Sequence, residues 1–266
     1  MEVFKNRLKE TLAQGKVAFG PFIMLPHPAG VEIAGMIGFD FVVIDMEHCA
    51  YSFETTEHMT RAARAVGITP IVRVPDKSQT NVLRALEAGA MVVDVPLVGK
   101  ASEAEAIVYA AKYAPLGGRG FNLASMGNRY GFVGGSGDTP ARINAETMVM
   151  IQIETAEGVE NAEAICAVKN LDLIFIGVGD LSQSLGIPCD WENPKLMRAV
   201  ERTIQTARKA GKHVCVFSVS PQMGRRWLQA GARMMALGSE IGGIRSGFQQ
   251  LFNSFRSVSE EFGQKS

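Results

Sequence analysis

Apolar residues along this chain fall into two alternating patterns: short continuous runs, and longer stretches in which they recur every three or four positions. The runs occupy residues 17–24, 39–45, 70–75, 91–97, 149–154, 171–177, 213–217 and 233–237. Runs that stay apolar at successive positions are what strands buried on both faces require. Between them lie amphipathic stretches that predict helices: one after Pro28 ending at Gly38, then 53–65, 79–88, 102–114, 155 to about 169, 194–210 and 221–230. A short helix over residues 2–13, closed by Gly15, reads as a lid over one end, and a last helix spans about 244–262. Eight strands alternating with eight helices predict a closed (β/α)8 barrel of the TIM type, with residues 1–266 forming one domain. The alternation breaks only at the glycine-rich residues 115–142. A structureless loop that long in a compact domain is usually functional.

Charge narrows the range of partners. Lysine plus arginine and aspartate plus glutamate each number 27, so the net charge is zero and no global field favours nucleic acid or an anionic membrane. The expected partner is a small molecule. No apolar run reaches the roughly 20 residues of a membrane span, and the N-terminus, Met1-Glu-Val-Phe-Lys-Asn-Arg, lacks the apolar core of a signal peptide. A soluble, cytoplasmic protein is expected. Cys49, Cys166, Cys189 and Cys215 show no Cys-x-x-Cys spacing, which suits reduced thiols and argues against a disulfide or a structural zinc.

A barrel of this kind carries its chemistry at the C-terminal ends of its strands. Those ends hold Phe22, Asp45-Met-Glu47-His48, Arg73, Gln152, Glu154 and Asp180. Glu154 closes one predicted strand and Asp180 follows the next. If these strands are parallel neighbours, about 4.8 Å apart, the two carboxylates sit side by side. Like charges so placed keep one acid protonated, unless a hard cation such as Mg²⁺ or Mn²⁺ takes an oxygen from each. Singly, Glu154 reads as a first-turn acid and Asp180 as a helix N-cap. Together they favour the metal. His27, His58 and His213 read as structural, and Cys49 beside His48 lacks an orienting base. No lysine lies within a predicted strand, which argues against a Schiff-base mechanism. After the eighth strand comes Gly238-Ser-Glu240, where Glu240 would repel a phosphate, so non-phosphorylated substrates are expected.

The stretches Gly38-Phe-Asp-Phe-Val-Val-Ile-Asp45-Met-Glu-His48, Val72-Arg73-Val-Pro75, Gln152-Ile-Glu154-Thr and Phe175-Ile-Gly177-Val-Gly179-Asp180-Leu-Ser182 resemble the class II pyruvate aldolases of the HpcH/HpaI family. The resemblance runs along nearly the whole chain. It implies a barrel of the phosphoenolpyruvate/pyruvate-domain type whose C-terminal helix is exchanged between subunits, in a homohexamer built as a trimer of dimers. It implies that Glu154 and Asp180 bind Mg²⁺, Mn²⁺ or Co²⁺, that Arg73 and Gln152 meet the 2-oxo acid, and that His48 transfers a proton. Asp45 would support His48 or a substrate water, and Glu87 would face His48 of a neighbouring subunit. Backbone N–H groups of Gly179 and Asp180 would hold the substrate carboxylate. The aldehyde half of the pocket would be lined by Phe22, Phe217, the loop with Arg119, Asn122 and Ser125, and a neighbouring subunit. The implied reaction is reversible cleavage of a 4-hydroxy-2-oxo acid to pyruvate, or a close 2-oxo acid, and an aldehyde. Two positions depart from the family pattern: Glu87, where aspartate is usual, and Val178, where proline is usual. The alternatives are a CoA-ester lyase of the citrate lyase β-subunit type, which needs a basic rim for CoA, and a barrel that binds sugar acids without catalysis.

Overall fold

A computed structural model describes residues 2–134 and 137–263, so residues 135 and 136 of the long loop and both chain ends lie outside the described residues. Among these, eight parallel strands pair in sequence order and close into a barrel. In chain order the elements begin with α1 (Arg7–Ala13), β1 (Ala18–Ile23), α2 (Pro28–Ile37), β2 (Phe41–Asp45), α3 (Phe53–Val66), β3 (Thr69–Arg73), α4 (Gln79–Glu87), β4 (Val92–Val95) and α5 (Ala101–Ala111). The second part holds α6 (Thr139–Glu146), β5 (Met148–Gln152), α7 (Ala156–Glu160), α8 (Ala162–Cys166), β6 (Leu173–Ile176) and α9 (Val178–Ser184). It closes with α10 (Pro194–Lys209), β7 (His213–Phe217), α11 (Pro221–Ala230), β8 (Met234–Ser239) and α12 (Glu240–Gly263).

Several boundaries depart from the sequence expectation, each for a local reason. The run expected as one helix from 155 to 169 is two short helices, because Asn161 ends α7 and begins α8, and its side-chain amide is turned away to donate to the Gly99 carbonyl. Residues 115–142 are not wholly irregular: a 3₁₀ turn covers Met126–Gly131 and α6 begins at Thr139, with Pro140 in its first turn, where a missing N–H costs nothing. Strand β5 ends at Gln152, which leaves Glu154 beyond the strand. Asp180 lies within the first turn of α9, while the N-cap is Gly177, so Asp180 does not cap the helix.

Two shells of apolar side chains hold the barrel. Outward-facing strand residues such as Val42, Val72, Ile151 and Ile174 pack under the helices. Inward-facing residues, among them Phe41, Ile71, Met148, Met150, Leu173 and Met234, fill the interior. The lid expected from the first helix is real. Leu8 and Leu12 of α1 belong to the interior cluster, and the Leu8 N–H donates to Thr69 Oγ1 at 3.1 Å at the start of β3, so α1 plugs the N-terminal end. Asn6 caps α1 and ties it to Met91 and Glu146 at that same end.

The helical ring is open on one side. The 24-residue helix α12 buries none of its residues, although Ile244, Phe248, Leu251, Phe252, Phe255 and Phe262 lie along it at helical spacing. Beside its base a cleft of about 1900 Å³ exposes the outer face of β1 and β8 between α2 and α11, with Val17, Phe19, Ile33 and Ile37 in its walls. A barrel with a complete ring would cover that surface with its eighth helix.

The plug makes one stability prediction. Leu8→Ala removes a fully buried side chain whose neighbours are held by strand backbones, so it should destabilise the fold by about 2–5 kcal/mol. Urea denaturation of the variant beside the wild type measures this directly.

Candidate active site

The side chains that point into the barrel mouth divide by strand. Asp45, Arg73, Asp94 and Gln152 come from β2 to β5, whereas Phe22, Phe175 and Phe217 come from β1, β6 and β7. Register accounts for the first group, because Asp45 pairs with Arg73, and Arg73 with Asp94, across adjacent strands. The aromatic group packs edge on, with Phe22 at 6.0 Å from Phe175 and 5.9 Å from Phe217. Above them opens a cavity of about 260 Å³ that brings together Asp45, His48, Arg73, Gln152, Glu154 and Asp180, with the three phenylalanines and Gly179 in its lining.

Arg73 is held by a bidentate pair with Asp45: Nε donates to Oδ1 at 2.8 Å and Nη2 to Oδ2 at 2.6 Å. Its Nη1 lies 3.0 Å from Glu47 Oε2. A guanidinium has five N–H donors, so after these three contacts two remain for a ligand. Burial, the largest single influence, would make Arg73 easier to deprotonate, but its hydrogen bonds to Asp45 together with the charges of Asp45, Asp94 and Glu47 outweigh it and raise its pKa. The guanidinium also stands 4.8 Å over the Phe22 ring.

His48 is reached from the same anchor. Asp45 Oδ1 accepts the backbone N–H of Glu47 at 3.0 Å and of His48 at 3.4 Å, folding the turn after β2 over the strand end. Asp45 therefore supports His48 through its backbone. The carboxylate beside the imidazole is that of Glu47, whose Oε2 is 3.7 Å from His48 Nε2. Burial raises the Glu47 pKa, against the pull of Arg73 and His48. Sequence reasoning quoted Glu47 within its motif but gave it no role.

Glu154 is set by its neighbours' backbone. Its Oε1 accepts the Leu97 N–H at 2.7 Å, and Leu97 takes a left-handed φ of 57° there, a conformation that costs a non-glycine residue about 1–3 kcal/mol. A Cβ at Gly177 would overlap the Glu154 side chain, so glycine lets the end of β6 pass close to the carboxylate without displacing it. Burial, and then the charge of Asp180, push the Glu154 pKa up to about 7 against that hydrogen bond. Glu154 and Asp180 thus share one edge of the cavity, as the strand ends predicted.

This pair fits a hard divalent cation. Among the described residues no group of three or more His, Cys, Asp or Glu side chains gathers at one point. Two carboxylates, with water and substrate oxygens completing the shell, is how Mg²⁺ is commonly held. A buried acid whose pKa is pushed up to about 7, with a second carboxylate beside it, is a crowding of negative charge that a dication would relieve.

Other expected site residues lie elsewhere in this chain. Glu87, at the end of α4, and Ser125 share a separate cleft of about 520 Å³ with His58, Arg61 and Tyr130. Within one chain neither lines the cavity beside His48. Arg119 is buried beneath the loop, its guanidinium 4.5 Å over the Tyr113 ring, and Arg129 stacks on Phe4. Glu240 does guard the end of β8, but by binding: its Oε1 accepts the N–H groups of Met24 and Leu25, each at 2.6 Å. Asp94, fully buried beside Gln152, was passed over in the sequence because its run, Val-Val-Asp-Val, reads as plain core.

The mouth of this parallel barrel thus gathers an acid pair and an anchored arginine in one cavity. The chain is a member of the HpcH/HpaI aldolase/citrate lyase family, whose pattern matches residues 18–246. It is 33% identical to the 5-keto-4-deoxy-D-glucarate aldolase of Klebsiella pneumoniae over 96% of this chain and 98% of that protein. Among solved structures it is similar to citrate synthase SbnG, with 32% identity, a TM-score of 0.87, and coverage of 96% of this chain and 99% of that one. It is also similar to an HpcH/HpaI aldolase/citrate lyase family protein from Burkholderia cenocepacia, with 27% identity, a TM-score of 0.88, and coverage of 95% and 100%.

Glu154 gives a pH prediction for the metal-free protein. Its folded pKa, about 7, lies above the ordinary 4.5, so its contribution to stability is complete below about pH 4.5 and is lost as pH rises through about 7. In chelator, the melting temperature of the wild type should therefore fall more steeply over that window than that of Glu154→Gln. Parallel melting curves for the two proteins would refute the assignment.

Proposed function

We propose that this enzyme is a class II aldolase that reversibly cleaves a non-phosphorylated 4-hydroxy-2-oxo acid to pyruvate, or a close 2-oxo acid, and an aldehyde. The observation that carries this reading is the Glu154–Asp180 edge facing the Asp45-anchored Arg73 across one small cavity. Glu154 and Asp180 would hold the divalent metal, with Mg²⁺, Mn²⁺ and Co²⁺ as candidates. When bound, the metal supplies Lewis-acid polarisation of the substrate's keto group.

The chain's own residues supply the rest. Carbon–carbon cleavage beside a ketone builds negative charge on the keto oxygen, and the two uncommitted N–H donors of Arg73 are a fixed positive source for it. The substrate carboxylate lies against the first turn of α9, where Gly179 and Asp180 present N–H groups that a helix leaves without intrahelical partners. His48, half-exposed and held over the cavity, takes the hydroxyl proton at C4 to start cleavage. Phe22, Phe175 and Phe217 exclude water on the far side, and Gln152 orients the oxo acid.

The aldolase name of the Klebsiella relative supports this reading, and the tail of its substrate, a sugar acid, is also unphosphorylated. Glu240 favours the same class, because its carboxylate already occupies the backbone donors at Met24 and Leu25. The CoA-ester alternative loses ground, since the loop arginines Arg119 and Arg129 are spent on Tyr113 and Phe4. For assembly we infer a homohexamer of exchanged dimers, in which α12 of one copy covers the β1/β8 cleft of another and brings Glu87 and Ser125 to a neighbour's cavity. The exposed apolar face of α12 and the uncovered strands support it. No described helix is long and apolar enough to cross a membrane, and the four free thiols suit the cytoplasm.

The deciding assay is pyruvate release from a panel of 4-hydroxy-2-oxo acids with and without added metal. Glu154→Ala and Asp180→Ala should each abolish turnover in a folded protein, as should chelator, reversibly. Full activity in excess chelator would sink the class II assignment. His48→Ala should slow cleavage by roughly 10²–10⁴-fold while sparing metal affinity. Arg73→Lys keeps the charge but loses the fork that Asp45 grips, so turnover and exchange of the pyruvate methyl protons should fall far more than pyruvate binding. Equal losses would mean that Arg73 serves ground state and transition state alike. Truncation after residue 243 should dissociate the assembly in sedimentation, and an unchanged sedimentation coefficient would refute the exchange.

A further inference from the structure

The cavity has a half that the oxo acid leaves open. The groups assigned to the oxo acid come from β3, β5 and α9, whereas Phe22, Met24, Phe217, Gly238 and Ser239 line the cavity from the ends of β1, β7 and β8. Among the described residues of that second set, only Ser239 has a side-chain O–H or N–H to donate.

Ser239 reaches the cavity through a break in the barrel's register. Along the pair of β1 and β8, Ala18 lies opposite Met234, Phe19 opposite Met235 and Gly20 opposite Ala236, but Phe22 lies opposite Ser239, so β8 carries one extra residue. Met234, Ala236 and Phe22 belong to the interior cluster. Unbroken alternation would give the next inward place to residue 238 and turn Ser239 outward. Gly238, with a left-handed φ of 58°, absorbs the extra residue as a bulge and brings Ser239 level with Phe22, at the rim where the cavity meets the large cleft.

The hydroxyl there is only half committed. Its Oγ accepts the Gly242 N–H at 3.3 Å, a long contact that orients the oxygen, while its O–H is given to no acceptor among the described residues. A donor set beside phenylalanine rings favours a ligand oxygen at that point. An apolar group in its place leaves the donor unpaired and shut off from water.

We propose that Ser239 is a specificity-determining residue that donates its O–H to a hydroxyl on the carbon beside the aldehyde, and so favours α-hydroxyaldehydes over unsubstituted ones. The inference rests on the class II aldolase reading given above, in which the oxo acid takes the side of Glu154, Asp180 and Arg73 and leaves the aldehyde to β1, β7 and β8. A site built to hydrogen-bond a substrate hydroxyl discriminates against the analogue that lacks it.

The test measures addition of pyruvate to glycolaldehyde and to propanal, with Mg²⁺ present, and reads the ratio of the two kcat/KM values. These aldehydes have the same number of heavy atoms and differ by a hydroxyl in place of a methyl. Ser239→Ala should lower the preference for glycolaldehyde about tenfold, the usual contribution of one hydrogen bond. Both values come from one protein, so a general loss of activity from looser packing of α12 cancels in the ratio, and the intrinsic reactivity of the two carbonyls cancels between variant and wild type. Should the alanine variant fail to fold, Ser239→Cys decides: it keeps the shape, replaces a strong donor by a weak one, and should move the ratio in the same direction. A ratio equal to that of the wild type in a folded variant overturns the proposal. A wild type that adds pyruvate to neither aldehyde removes the aldolase reading and this inference together, whereas one that adds pyruvate to both, with a ratio untouched by the substitution, removes this inference alone.

Discussion

The mouth of this barrel depends on the buried pair between Asp45 and Arg73. Two charges taken out of water gain from each other only when their geometry is good and their remaining donors and acceptors are filled. Here the fork of Arg73 meets both oxygens of Asp45, and Asp45 still accepts two backbone N–H groups from the turn that carries Glu47 and His48. One carboxylate therefore fixes the direction of the guanidinium and the path of the histidine turn. Removing either partner would leave an uncompensated buried charge, at a cost of about 3–5 kcal/mol. The pair keeps most of the arginine's positive charge in place while leaving two of its N–H groups for the ligand.

On the opposite side the organisation is achieved by backbone rather than by ion pairing. Leu97 accepts a left-handed conformation to aim its N–H at Glu154, and Gly177 gives up its side chain to let β6 pass beside that carboxylate. The strain is local and the surrounding barrel is rigid, which is how such conformations persist at functional sites. The result is a carboxyl group poised near neutrality beside Asp180. One cavity thus holds the anchored arginine and the acid pair, with phenylalanines also in its lining.

Much of this was legible in the sequence, because barrel strands are short, apolar and ordered along the chain. All eight strands overlap the expected runs, with β3 and β5 starting one residue earlier and β8 running two residues further, and the strand-end rule brought Asp45, His48, Arg73, Gln152, Glu154 and Asp180 to one cavity. What could not be read depended on neighbours distant in sequence. The break at Asn161 needs the Gly99 carbonyl, which comes from another βα unit. The proximity of Glu47 to Arg73 and His48 appears only once Asp45 has folded the turn. Asp94 looked like an interruption of a core strand, and only the register of β4 between Arg73 and Gln152 gives it a partner. Glu87 and Ser125 lie together in their own cleft, and no pattern within one chain could say what they face.

Glu240 joins two regions that have otherwise been described apart. It is the first residue of α12, and its Oε1 grips the turn at Met24 and Leu25, one residue past the strand that carries Phe22. That carboxylate is a direct link between the start of the long helix and the turn that follows the strand carrying Phe22. In the assembly proposed above, the position of the helix would be set by the copy that covers its apolar face, and the shape presented to the aldehyde would be a property of the assembled particle. Dilution would then erode substrate selectivity before it unfolds the barrel.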